Sequence, residues 1–333
     1  MEKILQYEAD DLGYTPLNEE EVKEAAAAIK AIIANIETVI KGKHDRVELV
    51  VLCLLAEGHV LIEDIPGVGK TSLVSTLAKT VNCGYKRIQF TPDVMPSDVT
   101  GFSIYNQKSG EFEFRPGAAM SHIILADEIN RASAKTQSAM LEIMEERQVT
   151  VDGRTYRLTK PFMVLATQNP IDSLGTYKLP EAQIDRFMIK LSLGYPDFND
   201  ELAVVLGGKQ AKAEIKRVIE GEQVNDLIKR CGRVVVSKTV ASYIVRIVEA
   251  TRTHADIKLG SSPRGSIALY DLSRAYALSQ GRNYVLPDDV KKLAPHVLSH
   301  RLILTQNART EQLDPAQLVR NIVSQVVVPT GAE

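Results

Sequence analysis

The sequence predicts an α/β fold: a parallel sheet covered by helices on both faces, followed by a smaller, mostly helical domain. Three observations carry this. Short apolar strands alternate with helical stretches through the first part of the chain. A turn rich in glycine and proline, Pro66-Gly67-Val68-Gly69, joins a buried strand to a helix. After Gly194-Tyr195-Pro196-Asp197 the apolar pattern becomes almost wholly helical. The chain has 333 residues, which at roughly 150 residues per domain accommodates two such bodies.

Composition narrows the field. Hydrophobic residues make up 44% and charged residues 25%, enough to support packed cores and to exclude wholesale disorder. The formal net charge of -2 provides no basic excess for nucleic acid or anionic lipid. Cys53, Cys83 and Cys231 are odd in number and widely spaced, so neither a disulfide framework nor a cysteine metal site is expected. A reducing, cytoplasmic setting fits that usage. The longest apolar run, Leu49 to Ala56, is too short for a membrane span, and Glu2, Glu8, Asp10 and Asp11 argue against a secretory signal.

Each element has a local cause. Residues 1–17 form a polar arm. Asn18 caps the first helix, with Glu21 completing a capping box. Val22, Ala26, Ile29, Ile33, Ile36 and Ile40 then make one buried stripe that runs up to Gly42. A second helix, apolar on most sides, spans 44–57 and stops at Gly58. His59 to Glu63 is a buried strand, followed by the glycine turn and a helix from Lys70 to about Val81. Further apolar strands are expected at Tyr85–Phe90, His122–Ala126 and Phe162–Thr167, with a helix at Ser133–Arg147. Two hairpins interrupt the alternation. One, at 101–116, turns at Ser109-Gly110; the other, at 147–158, turns at Asp152-Gly153. Beyond a linker at 194–199, helices are expected near 199–219, 222–231, 237–253, 264–280 and 287–299. Short strands are expected at Arg233–Val236, Asn283–Val285 and Arg301–Leu304.

The turn after the first strand has the context of a phosphate-binding loop. Backbone N–H groups over Gly67–Thr71 would cradle phosphates at the helix N-terminus, with Pro66, Val68 and Ser72 completing the nucleotide-binding set. Gly67 and Gly69 permit a backbone path that a Cβ would hinder. Lys70 would reach the β and γ phosphates, and the Thr71 hydroxyl would bind Mg²⁺. The pattern G-x-x-x-x-G-K-[ST] asks for glycine at position 64, where this chain has Asp64. An ordinary glycine turn is the rival, and the motifs downstream disfavour it.

Ile123-Ile124-Leu125-Ala126-Asp127-Glu128 is an apolar strand ending in two acids. Asp127 would hold Mg²⁺ through water and Glu128 would act as general base. Alone, such a pair also fits a solvated acidic turn. Asn169 follows the strand Phe162–Thr167 and can orient the lytic water, or close an Asx turn before Pro170. Arg186 is either a surface arginine beside Asp185 or a finger reaching the γ-phosphate of a neighbouring subunit; spacing leaves both open. Arg264 follows Pro263 at the start of a helix in the second domain. A cation there opposes the helix dipole, a conflict that a bound phosphate would relieve.

The order of these motifs resembles an AAA+ ATPase and, within that class, the MoxR family, over residues 18–305. The specific pieces are the loop Ile62 to Thr71, Gln89-Phe90-Thr91-Pro92-Asp93, Ala126-Asp127-Glu128-Ile129-Asn130-Arg131-Ala132, Leu141 to Glu146, Ala166-Thr167-Gln168-Asn169-Pro170, Leu179 to Phe187, and Gly281 to Pro287. The resemblance implies a P-loop core at 18–193 with a parallel five-stranded sheet between helices, the 194–199 linker, and a smaller α-helical lid at 200–333. It makes the hairpin at 101–116 the helix-2 insert and that at 147–158 the pre-sensor-1 hairpin. Lys70 and Thr71 match Walker A, Asp127 and Glu128 Walker B, Asn169 sensor 1, Arg186 the arginine finger and Arg264 sensor 2. Family members often lack glycine at the position of Asp64. Their Gly-Gln before the second helix appears here as Gly42-Lys43, which makes Ile40 and Gly42 the adenine-side candidates.

The implied activity is Mg²⁺-dependent hydrolysis of ATP by a homo-hexamer that remodels or matures a client protein. The client often carries a von Willebrand factor A domain, and some members assist metal or cofactor insertion. Neither direct nucleic-acid binding nor membrane insertion is expected. The alternatives are a nucleic-acid-linked motor, disfavoured by the charge balance, and a metal-chelatase-type motor subunit. Arg131 is read as a surface residue, with reach across a subunit boundary as its rival. The aromatics Phe102, Tyr105, Phe112 and Phe114 either meet a client or pack within their hairpin.

Overall fold

Chain order explains the architecture. The computed structural model describes residues 15–170, 177, 179–195, 197–207 and 215–328. Helix α1 (Glu19–Glu37) starts at the expected capping box: the Glu21 N–H donates to Asn18 Oδ1 at 2.8 Å, and the Asn18 N–H donates to the Glu21 carboxylate at 2.9 Å. Its stripe is buried as expected, but the helix stops at Glu37, so Ile40 and Gly42 lie in the turn that follows. Helix α2 (His44–Leu55) is buried from Val47 through Leu55. Strand β1 (Val60–Glu63) then leads through residues 64–69 to α3 (Lys70–Thr80) and β2 (Tyr85–Gln89).

A short helix α4 (Pro96–Thr100) precedes the first hairpin, β3 (Gly101–Asn106) and β4 (Glu111–Pro116). Strand β5 (Ile123–Asp127), buried along its whole length, leads into α5 (Ala134–Glu146), which is capped by Ser133 Oγ. The second hairpin is β6 (Gln148–Val151) and β7 (Arg154–Arg157). Strand β8 (Met163–Gln168), α6 (Glu181–Ile184) and β9 (Ile189–Leu191) complete the α/β part. The two hairpins are joined by their aromatics: the Phe114 ring stacks on Tyr156, with centroids 4.1 Å apart and planes 12° apart.

The five-stranded sheet has the order β2-β5-β8-β1-β9. Parallel pairing sets Ala126 opposite Ala166, and Ile62 opposite Thr167. This register brings the C-terminal ends of β1, β5 and β8 to one edge, where an open α/β sheet binds its ligands. Under that edge, Met140, Leu141, Ile143 and Met144 of α5 pack in one core with Ile124, Ala126, Val164 and Ala166.

Chain contacts divide the molecule into two units: Ile32–Phe187 with Leu191–Val224, and Met1–Ala31 with Met188–Lys190 and Asn225–Glu333. Helix α7 (Phe198–Gly207) belongs to the first. The later helices are α8 (Gly221–Gly232), α9 (Lys238–Thr253), α10 (Pro263–Ser279), α11 (Pro287–Leu298), α12 (Gln306–Thr310) and α13 (Pro315–Gln325), with an antiparallel pair β10 (Ile257–Leu259) and β11 (Ile303–Leu304). Within that second unit, Arg233 grips Glu21 at 2.7 Å, Arg230 reaches Glu24 at 3.1 Å, and the Asn283 amide donates to the Leu17 carbonyl at 2.9 Å.

Several expectations need correction. The helix expected over 199–219 is described as Phe198–Gly207; positions 208–214 lie outside the described residues, and 215–219 is not helical. The Val218 and Ile219 N–H groups donate instead to the Thr80 carbonyl, at 2.9 and 3.3 Å. The strands expected at Arg233–Val236 and Asn283–Val285 reduce to a single bridge, Val235 to Tyr284. Of the polar arm expected at 1–17, positions 1–14 lie outside the described residues, as does Pro196 of the linker. No helix among the described residues is long and apolar enough to cross a membrane.

Candidate nucleotide site

The loop between β1 and α3 is shaped by two glycines in the left-handed region, Gly67 at φ 89° and Gly69 at φ 92°. A Cβ on either would project into open space, so the requirement for glycine here is conformational. Gly69 is the N-cap of α3 and brings no side chain to the first-turn N–H groups, which leaves an anion-binding end. Pro66, Gly67, Gly69, Lys70, Thr71 and Ser72 line a cavity of about 350 Å³ that Asp127 and Glu128 share. Val68 is in the loop but outside that lining. Lys70 Nζ donates to the Asp64 carbonyl at 2.8 Å. Burial pulls the Lys70 pKa below the ordinary lysine range, and the carboxylates of Asp127, Asp64 and Glu128 oppose that pull.

The acidic pair is tied to its neighbours by short polar contacts. Asp127 Oδ1 accepts from the Thr167 hydroxyl at 2.6 Å. Its Oδ2 accepts from Arg87 Nε at 3.0 Å and Nη2 at 2.6 Å. Glu128 adopts the left-handed conformation, φ 56° and ψ 50°, which costs a residue with a Cβ about 1–3 kcal/mol. Thr167 helps to hold it there, because the Glu128 N–H donates to the same hydroxyl oxygen at 2.9 Å. The Glu128 carboxylate pairs with Arg131 Nε of its own chain at 2.9 Å.

Asp64 has a structural reason to differ from glycine. It is 6% exposed, and its carboxylate accepts from the Ser192 hydroxyl at 2.9 Å, from the Leu193 N–H, and from the Gly194 N–H at 3.3 Å. One side chain thus fastens the start of the phosphate loop to the segment that leaves β9.

The other predicted residues are placed as follows. Asn169 is buried one position past the end of β8, and neither it nor Arg186 lines the phosphate cavity. Arg186 Nε lies 3.1 Å from the Glu145 carboxylate at the end of α5, without hydrogen-bond geometry. Arg264 is exposed in the first turn of α10, in the second unit, where its N–H donates to Ser262 Oγ at 3.1 Å. Gly42, at φ 62°, lines a second cavity of about 590 Å³ with Lys43, His44, Arg46 and Leu193. Ile40 is buried and is not part of that lining.

Sequence reasoning missed Thr167 and Arg87. Both meet Asp127 across strands, so only the register reveals them. The available signals were a threonine closing an otherwise apolar strand and an arginine inside a strand next to the acidic one.

The site's chemistry suits a hard divalent cation bound together with phosphates. Thr71 and Asp127 offer oxygen donors on one cavity. Among the described residues no group of three His, Cys, Asp or Glu side chains forms a metal cage of its own. A cation here would take its remaining ligands from phosphate oxygens and water, the usual Mg²⁺ arrangement.

A phosphate loop before α3, paired acids at the C-terminal end of β5 and a helical region after the sheet define an AAA ATPase. Residues 59–189 match the ATPase family associated with various cellular activities (AAA), and residues 249–322 match the AAA lid domain. The uncharacterized protein YeaC of Bacillus subtilis is 53% identical over 299 residues, covering 89% of this chain and 93% of that protein. Chaperone MoxR1 of Mycobacterium tuberculosis is 39% identical over 310 residues, covering 90% and 82%. A crystal structure from Cytophaga hutchinsonii, of a protein assigned as an ATPase, superposes with a TM-score of 0.88 at 39% identity, covering 94% of this chain and 98% of that one. The chain belongs to the MoxR family of AAA ATPases.

Proposed function

We propose that this protein hydrolyses ATP with Mg²⁺ as one subunit of a homo-hexameric ring, and that turnover drives the remodelling or maturation of client proteins. The observation that carries the ATPase reading is the shared cavity of Lys70, Thr71, Asp127 and Glu128. The client role is supported by MoxR1, a chaperone, at 39% identity. Clients with a von Willebrand factor A domain are the class to test first.

Each residue has a defined task. The 67–71 backbone and Lys70 bind the phosphates. Thr71 and Asp127 hold the metal, which neutralises phosphate charge when bound. Glu128 takes the proton of the attacking water once its carboxylate leaves Arg131, and Asn169 orients that water. Arg186 acts on the γ-phosphate of an adjacent subunit, and Arg264 on the nucleotide from the lid. Gly42 and Ile40 belong to the base side.

The deciding experiment compares the native protein with Glu128→Gln. ADP and ATP binding should persist while turnover falls by about 10²-fold or more. A native protein that neither binds nor hydrolyses ATP in the presence of Mg²⁺ would refute the proposal.

A further inference from the structure

The phosphate cavity carries two cationic side chains among the described residues, Lys70 and Arg87. Lys70 is accounted for by the phosphate loop. Arg87, in the middle of β2, is not, and its guanidinium is spent on the carboxylate that should serve the metal. Nε and Nη2 both donate to Asp127 Oδ2, at 3.0 and 2.6 Å, and Nη2 also donates to Gln89 Oε1 at 2.7 Å. With Thr167 on Oδ1, both oxygens of Asp127 are engaged by donors from the chain itself.

The chemistry of the pair points one way. Asp127 is 8% exposed, and a carboxylate so buried is costly without a compensating charge. A guanidinium never loses its proton, so it supplies that charge at any working pH. The Arg87 side chain is nearly half exposed, at 46%, and the Asp127 side chain only 12%, so the arginine has room to turn to another acceptor in the cavity it lines while the aspartate stays in place. A fork of N–H donors suits phosphate as well as carboxylate.

We propose that Arg87 is the resident counter-ion of the metal site, a positioning residue that exchanges partners on loading. In the nucleotide-free protein it neutralises Asp127 and competes with a divalent cation for Oδ2. An incoming nucleotide offers phosphate oxygens in the same cavity, Arg87 transfers to them, and Asp127 becomes available to the metal. Metal and nucleotide therefore load together, and the metal alone is disfavoured.

This rests on the nucleotide-site reading above, and the test separates the two. Mn²⁺ binding to the full chain is measured by electron paramagnetic resonance without nucleotide, and binding of a fluorescent ADP analogue is measured with EDTA and with Mg²⁺. Arg87→Gln should tighten nucleotide-free Mn²⁺ binding by about fivefold or more. It should also weaken metal-free ADP binding by a similar factor. Arg87→Lys, which keeps the charge but loses the fork of donors, should fall between the native protein and Arg87→Gln in both assays. Asp127→Asn should abolish the Mn²⁺ signal that Arg87→Gln gains. If Arg87→Gln leaves Mn²⁺ binding unchanged or weaker, Arg87 merely orients Asp127 and the exchange is wrong. If the native protein binds no ADP under either condition, the nucleotide-site reading itself fails.

Discussion

Asp64 follows β1 and Asp127 ends β5, strands separated only by β8, and the two are almost equally buried, at 6% and 8% exposure. Their partners differ in kind. Asp64 accepts from the backbone of Leu193 and Gly194 and from the Ser192 hydroxyl, groups that the fold holds in place. Asp127 accepts from a threonine hydroxyl and from a half-exposed arginine that can find another acceptor. Burial alone does not distinguish an anchor from a working ligand; the mobility of the donors does. Removing a fixed partner should cost stability, and removing an exchangeable one should cost function.

The largest effect should come from an exchangeable contact. Among the described residues the Arg186 side chain makes an ill-aligned approach to Glu145, and Arg186→Ala removes it, so the melting temperature should stay close to the native value. Turnover should fall by about 10³–10⁵, the usual worth of an arginine finger, with ADP affinity kept. Unchanged turnover would remove Arg186 from the reaction.

The opposite signature belongs to Asp64→Gly. This substitution restores the common loop pattern, yet it should destabilise the protein by about 3–4 kcal/mol in chemical denaturation, because the Leu193 N–H loses a buried charged acceptor. A neutral or stabilising result would break the comparison at its fixed end.

His59 sharpens that end. It is buried between backbone groups: the Val164 N–H donates to Nδ1 at 3.0 Å, and Nε2 donates to the Met144 carbonyl at 3.0 Å. Burial pushes its pKa from 6.5 down to about 4. Since the folded pKa is depressed, the stability it contributes is complete above pH 6.5 and lost as pH falls through 4. The loss should reach about 3 kcal/mol, read from denaturation midpoints across that window.

Thr167→Val lies between the two classes and should cost less stability than Asp64→Gly, about 1–2 kcal/mol. It removes both the donor to Asp127 and the acceptor that holds Glu128 in its left-handed conformation. Turnover should fall while ADP binding persists, and full turnover would mean that Glu128 holds its geometry unaided.

The same distinction explains what could be read from the sequence. Lys70, Thr71, Asp127 and Glu128 were legible because each sits in a short motif with its own local geometry. The capping box at Asn18 and the Asp152-Gly153 hairpin were legible for the same reason. Arg87 and Thr167 were not, because β2 and β8 reach Asp127 only through inter-strand pairing. Asp64 was visible as an anomaly, but its partners lie about 130 positions along the chain. Strand β9 has three residues, too few for its alternation to register.

The stacked rings of Phe114 and Tyr156 have a consequence for connectivity. They join the 101–116 hairpin to the 147–158 hairpin, which pair as two separate antiparallel ribbons. The second hairpin begins with β6 at Gln148, three positions after Glu145, the residue that faces Arg186. The exposed pair Tyr105 and Phe112 is thus linked in space to the neighbourhood of the arginine without the phosphate loop, through one aromatic stack, one hairpin and one helix end.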